Sequence, residues 1–211
     1  MVRRRRGNKG LAKLVRKEVQ RINAKNTEVK HREVSASYSV SDTPLGYNFL
    51  EYIGQGDGAL NREGNRINLL SHSMRLNIRA EQPYNNIRIM VLETRDPLPY
   101  SLTDFKYDGS EVLSSPGLGV NSSLDFDTVK KVYYDRTIQV KQLANGVNPT
   151  FYVRKYLKFG KLGKKIFYDG NTTGVNSGNM RSHIYVLLMS DSSIVPHPSI
   201  NAGHYMRFTD S

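Results

Sequence analysis

The stretch RINLLSHSMRLNIRA, residues 66–80, indicates how most of this chain is built. Its alternate positions hold two kinds of side chain: apolar at Leu70, Met74, Leu76 and Ile78, and polar or charged at Arg75, Asn77 and Arg79. In an extended strand, successive side chains point to opposite faces, whereas a helix repeats its apolar positions every three or four residues. The stretch therefore predicts a strand with one buried face and one polar face.

Residues after 33 repeat this pattern in short runs of β-branched and aromatic residues. Asp-Gly or Asn-Gly pairs, which favour tight turns, separate the runs at 57–58, 108–109, 145–146 and 169–170. We expect strands near 66–80, 86–95, 129–142, 150–160, 164–169, 182–190 and 203–209, with weaker ones within 34–53 and 100–115. About eight strands with Gly- and Pro-rich connections predict an all-β sandwich or barrel.

Two of the predicted strands are apolar on both faces. Residues 87–92 and 184–189 carry aliphatic, Met or Tyr side chains at nearly every position. Such runs are typical of central strands that are covered on both sides. We expect another subunit to cover one outer surface of the sheet.

Charge divides the chain into an arm and a body. Residues 1–32 contain twelve Lys and Arg against two Glu, a net charge of +10, and the other 179 residues share +2. Apolar residues recur at three- and four-residue steps from Leu11 to Ile22, which predicts an amphipathic basic helix from about residue 10 to 24. A solvated, partly disordered tail is the alternative, because short helices are marginal without packing. We assign residues 1–32 to a basic arm and 33–211 to one β-rich domain.

The arm is predicted to bind nucleic acid, because its like charges repel one another unless a polyanion neutralises them. No helix-turn-helix, zinc-finger or RNA-recognition motif accompanies the charge, so the expected contacts are to phosphates. The candidate contacts are Arg3, Arg4, Arg5, Arg6, Lys9, Lys13, Arg16, Lys17, Arg21 and Lys25. A second basic cluster is interleaved with aromatic residues, which suits either stacking on bases or a hairpin with solvated lysines. This second cluster is Arg154, Lys155, Lys158, Lys161, Lys164 and Lys165.

Composition and spacing argue against several other classes of protein. The chain has no cysteine, and therefore no disulfide, thiolate nucleophile or Cys-ligated metal. Its longest apolar run, 184–189, is too short to span a membrane. His72 lies between Ser71 and Ser73, but neighbours on a strand face opposite ways, so no Ser-His pair is implied. We expect no enzymatic activity, no catalytic residues and no organic cofactor.

Metal binding is a weaker prediction. Asp57 and Asp191 lie near predicted strand ends, where carboxylates of neighbouring subunits could share a divalent cation such as calcium. The alternative, which the sequence favours, is that both are solvated loop aspartates.

Several motifs follow one another along the chain in a recognisable order. The segment from Ile53 to Leu76 contains a Gln-Gly-Asp turn, an Arg-x-Gly step at Arg62 and Gly64, and an alternating strand. Further motifs are Tyr-Asp-Arg, Arg-Lys-Tyr-Leu-Lys followed by Lys-Ile-Phe-Tyr, an apolar strand ending in Ser-Asp, and Arg-Phe-Thr-Asp (134–136, 154–158, 165–168, 183–191 and 207–210). With the basic arm, this order resembles the coat proteins of circular Rep-encoding single-stranded DNA viruses, and next those of the satellite tobacco necrosis virus group.

This resemblance implies an all-β fold, an eight-stranded viral jelly-roll sandwich with a basic, partly helical N-terminal arm. Residues 33–211 would be the shell domain, and the segment from Ile53 would lead into its first strand. The resemblance also implies a capsid protein that self-assembles, as sixty copies, into an icosahedral virus-like particle and packages a single-stranded genome, in this case circular DNA. The protein would reside in the virion and, during assembly, in the host nucleus. The alternatives are a satellite-RNA-virus coat protein and a non-viral β-barrel module that binds single-stranded nucleic acid.

Overall fold

The computed structural model describes residues 8–26, 28–101, 106–142, 149–168 and 182–210. One α-helix, α1, spans Asn8–Asn26, within the arm. The strands are β1 (Lys30–Ser39), β2 (Leu45–Tyr47), β3 (Arg66–Arg79), β4 (Tyr84–Thr94), β5 (Tyr100–Ser101), β6 (Lys106–Asp108), β7 (Val129–Lys141), β8 (Thr150–Lys158), β9 (Lys164–Phe167), β10 (His183–Ser190) and β11 (Ser199–Asp210). Three short 3₁₀ helices span Phe49–Tyr52, Ser110–Val112 and Pro116–Asn121. None of the helices in these ranges is long and apolar enough to cross a bilayer.

The strands form two antiparallel sheets. Sheet A has the order β1-β11-β3-β8, with β9 also paired to β3, and sheet B has the order β5-β6-β2-β10-β4-β7. β5 and β6 extend the edge of sheet B beyond β2, and β9 pairs with β3 at residues 66–69, next to the part of β3 that pairs with β8. The other eight are the principal strands, and counted along the chain they give the orders 1-8-3-6 and 2-7-4-5. This is the strand order of a jelly roll, which confirms the predicted all-β, eight-stranded jelly-roll sandwich and excludes a closed barrel.

The main core lies between the two sheets. Met74, Leu76 and Ile78 of β3 are buried in it, whereas Arg75, Asn77 and Arg79 between them are exposed. Burial of one side of the sheet fixes the register, because a slip by one residue would turn every apolar side chain to solvent. The alternation predicted for residues 70–80 is therefore confirmed from Met74 to Arg79. It is wrong for Leu70: Leu69 is the core residue there, because the pairing with β11 shifts register and leaves Leu70 without a partner.

The outer side of sheet B is covered by the same chain. Met90 and Leu92 of β4 and Leu187 of β10 are fully buried on that side. Together with Tyr185 and Met189 of β10, they pack into a second core. Its remaining members come from residues 98–129 and include Leu98, Tyr107, Val112, Leu113 and Val120. The expectation that another subunit covers these strands is wrong, because the segment between β4 and β7 folds back over the sheet.

The position of the Gly-rich segment also differs from expectation. The strand that follows it, β3, is the third principal strand, and the first is β1. β1 begins at Lys30, so the boundary placed between residues 32 and 33 falls inside a strand. The Lys30 Nζ is buried, 2.6 Å from Glu63 and 2.8 Å from Asp210. Burial lowers the pKa of Lys30, but Asp210 and Glu63 outweigh it and raise that pKa overall.

The Arg-x-Gly step has a structural role. The Arg62 side chain is fully buried, and its guanidinium lies 4.1 Å from the centre of the Tyr168 ring. It donates hydrogen bonds to the Gly64 carbonyl oxygen and, at 3.2 Å, to the Asn65 side chain. The buried cation thus holds the loop before β3 against the residue that follows β9.

Candidate nucleic-acid interface

Three cations of α1 are exposed to solvent. All side chains from Gly10 to Val19 are exposed, among them Lys13, Arg16 and Lys17. Of the other predicted contacts, Lys9, Arg21 and Lys25 lie in α1, and Arg3, Arg4, Arg5 and Arg6 lie outside the described residues. The β-rich domain therefore leaves the positive charge of residues 10–19 of α1 open to solvent.

The structure divides the second basic cluster. Arg154 and Lys158 are exposed on one face of β8. The Lys155 Nζ lies 4.8 Å from the centre of the Tyr134 ring, towards the other face. Lys164 lies 2.5 Å from Glu93 in an ion pair. Lys161 and Lys165 are exposed, in the β8–β9 turn and on β9.

Arg154 and Lys158 instead share a surface with residues from other strands, which we call the outer face of sheet A. Strand register sets Arg154 of β8 opposite Arg75 of β3, and Arg75 opposite Gly203 of β11. The next row joins Tyr156, Ser73 and Tyr205. The outer face consists of His31, Glu33, Ser35, Ser37, Ser73, Arg75, Asn77, Arg79, Tyr152, Arg154, Tyr156, Lys158, Asn201, Gly203, Tyr205 and Arg207.

The outer face of sheet A is strongly positive. It carries five exposed cations against one carboxylate, Glu33, a net charge of +4. The five are Arg75, Arg79, Arg154, Lys158 and Arg207. None of these five cations forms an ion pair with a described side chain. The charge on this face is therefore free to attract an anion.

Three shallow depressions adjoin on this face. One, of about 540 Å³, lies between Tyr156 and Tyr205. It shares Arg75 with a second, of about 630 Å³, which in turn shares Asn77 and Asn201 with a third of about 210 Å³. Together they follow β11 from Ser199 to Arg207, about 27 Å at the rise of an antiparallel strand. A groove of this length suits an extended polymer better than a small molecule.

Sequence reasoning missed Arg75, Arg79, Tyr205 and Arg207 as members of a basic surface. The alternation along residues 70–80 does place Arg75 and Arg79 on a polar face. What it does not show is that this face adjoins those of β8 and β11, since the register joins residues that are 71 or more positions apart; Arg75 and Arg154, for example, are 79 positions apart.

The two candidate metal ligands have different surroundings. Both Asp191 carboxylate oxygens accept hydrogen bonds from Asn86, at 2.9 Å from its backbone N–H and 2.7 Å from its side chain. Asp57 is exposed in the Gly-rich loop. Among the described residues, no group of three or more His, Cys, Asp or Glu side chains could hold a metal ion. A cation shared between subunits remains a prediction.

His72 of β3, which lies in the Ser-His-Ser sequence, and His204 of β11 meet in the core. The His72 Nε2 and His204 Nδ1 lie 2.9 Å apart, and the His204 Nε2 is hydrogen-bonded to the Tyr47 hydroxyl. Phe49 stacks on the His72 ring, with 3.9 Å between ring centres. Burial lowers the pKa of His204 to about 4, and burial, together with the neighbouring His204, lowers the pKa of His72 well below its ordinary value. These rings are packed and bonded as core residues.

Comparison with known proteins does not place this chain in a family. No protein-family model matches the chain, and no curated protein matches its sequence. Among solved structures, a chain from Desmodium yellow mottle tymovirus is similar over 87% of this chain and 88% of its own length, with 10% identity and a TM-score of 0.37. The assignment of the fold rests on the strand order of the two sheets.

Proposed function

We propose that this chain is the structural subunit of a viral capsid, which assembles into a closed shell and packages single-stranded nucleic acid through its basic arm. The observation that carries the proposal is an exposed basic helix that precedes β1 of a jelly-roll domain. Jelly rolls build viral shells as well as lectins and cupins, and the charged arm favours the shell. A sugar-binding or small-molecule role gives no reason for +10 in 32 residues.

The course of the chain supports the same function. β1 is an edge strand of sheet A, and Val29 and His31 at its start border the depression beside Tyr205 and Arg207. The arm therefore joins the domain at the positive outer face, so one polyanion could contact both.

The finer proposals follow from the resemblance to the coat proteins of circular Rep-encoding single-stranded DNA viruses. We propose that sixty copies form an icosahedral shell and that the genome is circular DNA. We also propose that the protein enters the host nucleus, with the arginine run as the import signal. Sixty arms would carry about 600 net positive charges, enough to neutralise a comparable number of phosphates in a short genome. Phosphate contacts read no sequence, and packaging needs that tolerance.

The test is to purify the full-length protein and examine it by electron microscopy and light scattering. We expect closed particles of one size that contain nuclease-protected nucleic acid, and digestion with DNase or RNase after disruption identifies the genome type. A folded chain that stays monomeric across salt and pH would refute the capsid function.

A charge-matched pair of variants tests the arm. We expect Lys13→Gln, Arg16→Gln and Lys17→Gln together to reduce the nucleic acid packaged per particle. The control replaces three exposed cations of β7, Lys131, Arg136 and Lys141, and should package as the parent does. Equal loss in both variants would show that net charge alone matters, and no loss in either would remove the arm from packaging.

A further inference from the structure

We propose that the outer face of sheet A is a second nucleic-acid site that selects single strands over duplexes. Unpaired bases would stack on Tyr156 and Tyr205 while phosphates contact Arg75, Arg154 and Arg207. This inference rests on the proposed packaging of nucleic acid and adds to it a site with a different kind of selectivity.

The aromatic residues on this face are unusually exposed. Tyr152 is 77% and Tyr156 57% accessible to solvent, although tyrosine normally buries most of its ring. Among the described residues, neither ring stacks on another aromatic, whereas Tyr205 stacks on His31 with 5.7 Å between ring centres. Exposed aromatic rings beside cations are the arrangement on which proteins stack unpaired bases.

The spacing of the rings leaves room for a base. Tyr156 and Tyr205 lie in the same row on strands separated by β3, about 10 Å apart at the usual spacing between strands. Ser73 lies between them, and its small side chain leaves the depression of about 540 Å³. A flat base can therefore enter between the two rings.

Cations on this face repel one another, and a bound anion would reduce that repulsion. Arg75 and Arg154 are direct cross-strand partners, and like charges in that position destabilise a sheet. On the other side of Arg75 the register places Gly203, which brings no carboxylate. A phosphate bound between the two guanidinium groups would relieve their repulsion and use the bidentate geometry that arginine offers.

Selectivity for single strands follows from the difference between the two kinds of contact. A duplex presents phosphates to the arginines, but its bases are stacked inside the helix and cannot reach the tyrosines. Loss of the tyrosines should therefore weaken binding of single strands and leave duplex binding unchanged. Loss of the arginines should weaken both.

The experiment measures binding of an oligo-dT strand and of a DNA duplex of equal length to the full-length protein over a salt series. We expect Tyr156→Leu with Tyr205→Leu to lower single-strand affinity by about tenfold or more for each ring, without changing duplex affinity. The variant Tyr156→Phe with Tyr205→Phe keeps both rings and should bind as the parent does. An oligonucleotide containing 2-aminopurine reports stacking directly, since its fluorescence falls when the base stacks.

The arginines give an independent measurement. Arg75→Gln, Arg154→Gln and Arg207→Gln together should reduce the slope of log affinity against log salt by about two for single strands. The β7 variant with Lys131, Arg136 and Lys141 replaced serves as the control, and thermal melting verifies that each variant is folded.

The outcomes separate this inference from the proposed function. If the arm variant loses binding while the Leu and Gln variants of the outer face bind as the parent does, packaging by the arm stands and this site is refuted. Equal loss of single-strand and duplex binding in the Leu variant would also refute it. If the parent protein binds neither probe at low salt, the proposed function itself fails.

Discussion

Acid should destabilise this domain through the two histidines of its core. His72, His204 and Tyr47 form a hydrogen-bonded chain between the sheets, and Tyr38 stacks on Tyr47 with 4.8 Å between ring centres. Neutral imidazoles supply one N–H each, which is what the hydrogen bonds between His72, His204 and Tyr47 require. A further proton would place a charge among apolar neighbours such as Phe49, which stacks on His72.

The magnitude for His204 follows from its pKa, which burial lowers to about 4 from an ordinary 6.5. Above pH 6.5 the ring is neutral in both the folded and the unfolded state, so the full stability is present. As the pH falls from 6.5 to 4, only the unfolded chain takes up the proton, and the free energy of unfolding decreases. The total loss is about 3 kcal/mol from His204, a large part of the 5–15 kcal/mol typical of a domain.

The assay is urea unfolding at pH values from 7 to 4.5, in which comparison with a variant removes the part of the pH dependence that comes from carboxylates. We expect the free energy of unfolding to fall towards pH 4.5 in the parent protein. His204→Gln keeps a group that can hydrogen-bond to Tyr47 but cannot titrate, so its pH dependence should be shallower by about one proton. The control is His31→Gln, which replaces an exposed histidine of β1 and leaves both core histidines in place. A parent whose stability is flat over this range, or a His204→Gln variant with the parental slope, would contradict this account.

Four further substitutions test the packing and a buried ion pair. Leu187 lies on the outer side of sheet B, but residues 98–129 bury it. Leu187→Ala should therefore lower the free energy of unfolding, measured with urea, by about 2–5 kcal/mol. Gly46→Ala should lower the melting temperature sharply because its methyl group would overlap the carbonyl oxygen of Val186, whereas Gly203→Ala, with no neighbour nearer than 4.0 Å, should melt as the parent does. Glu93→Gln should cost about 1–3 kcal/mol. Burial raises the pKa of Glu93, but its bonded cations Lys164 and Lys130 lower that pKa overall. Glu93 therefore contributes stability at neutral pH, and this stability is lost as the pH falls through the lowered pKa. Calorimetry at pH 7 and pH 3 should show the stability of the variant converging on that of the parent.

The positions of the strands along the chain follow from patterns that are local in the sequence. Alternation in residues 74–79, the largely apolar runs at 87–92 and 184–189, and the turn pairs located the principal strands from β3 onward. The reason is that successive side chains of a strand point to opposite faces, so burial of one face produces an apolar–polar alternation in the sequence. β1 and β2 were expected only as weaker strands within 34–53, and β1 begins earlier, at Lys30. The basic arm is equally local, because charge needs no fold to be counted. The jelly-roll order came from the resemblance, and the two sheets confirm it.

The tertiary structure alone decided which faces meet. Residues 98–129 cover the outer side of β4 and β10, where the sequence suggested a second subunit, because an apolar face does not specify what will cover it. The outer face of sheet A depends on register between distant strands, which brings Arg154 beside Arg75 and Arg75 beside Gly203. The His72–His204 contact joins residues 132 positions apart. Such pairings follow from closing the whole chain into two sheets, and no short stretch of sequence carries the information that selects them.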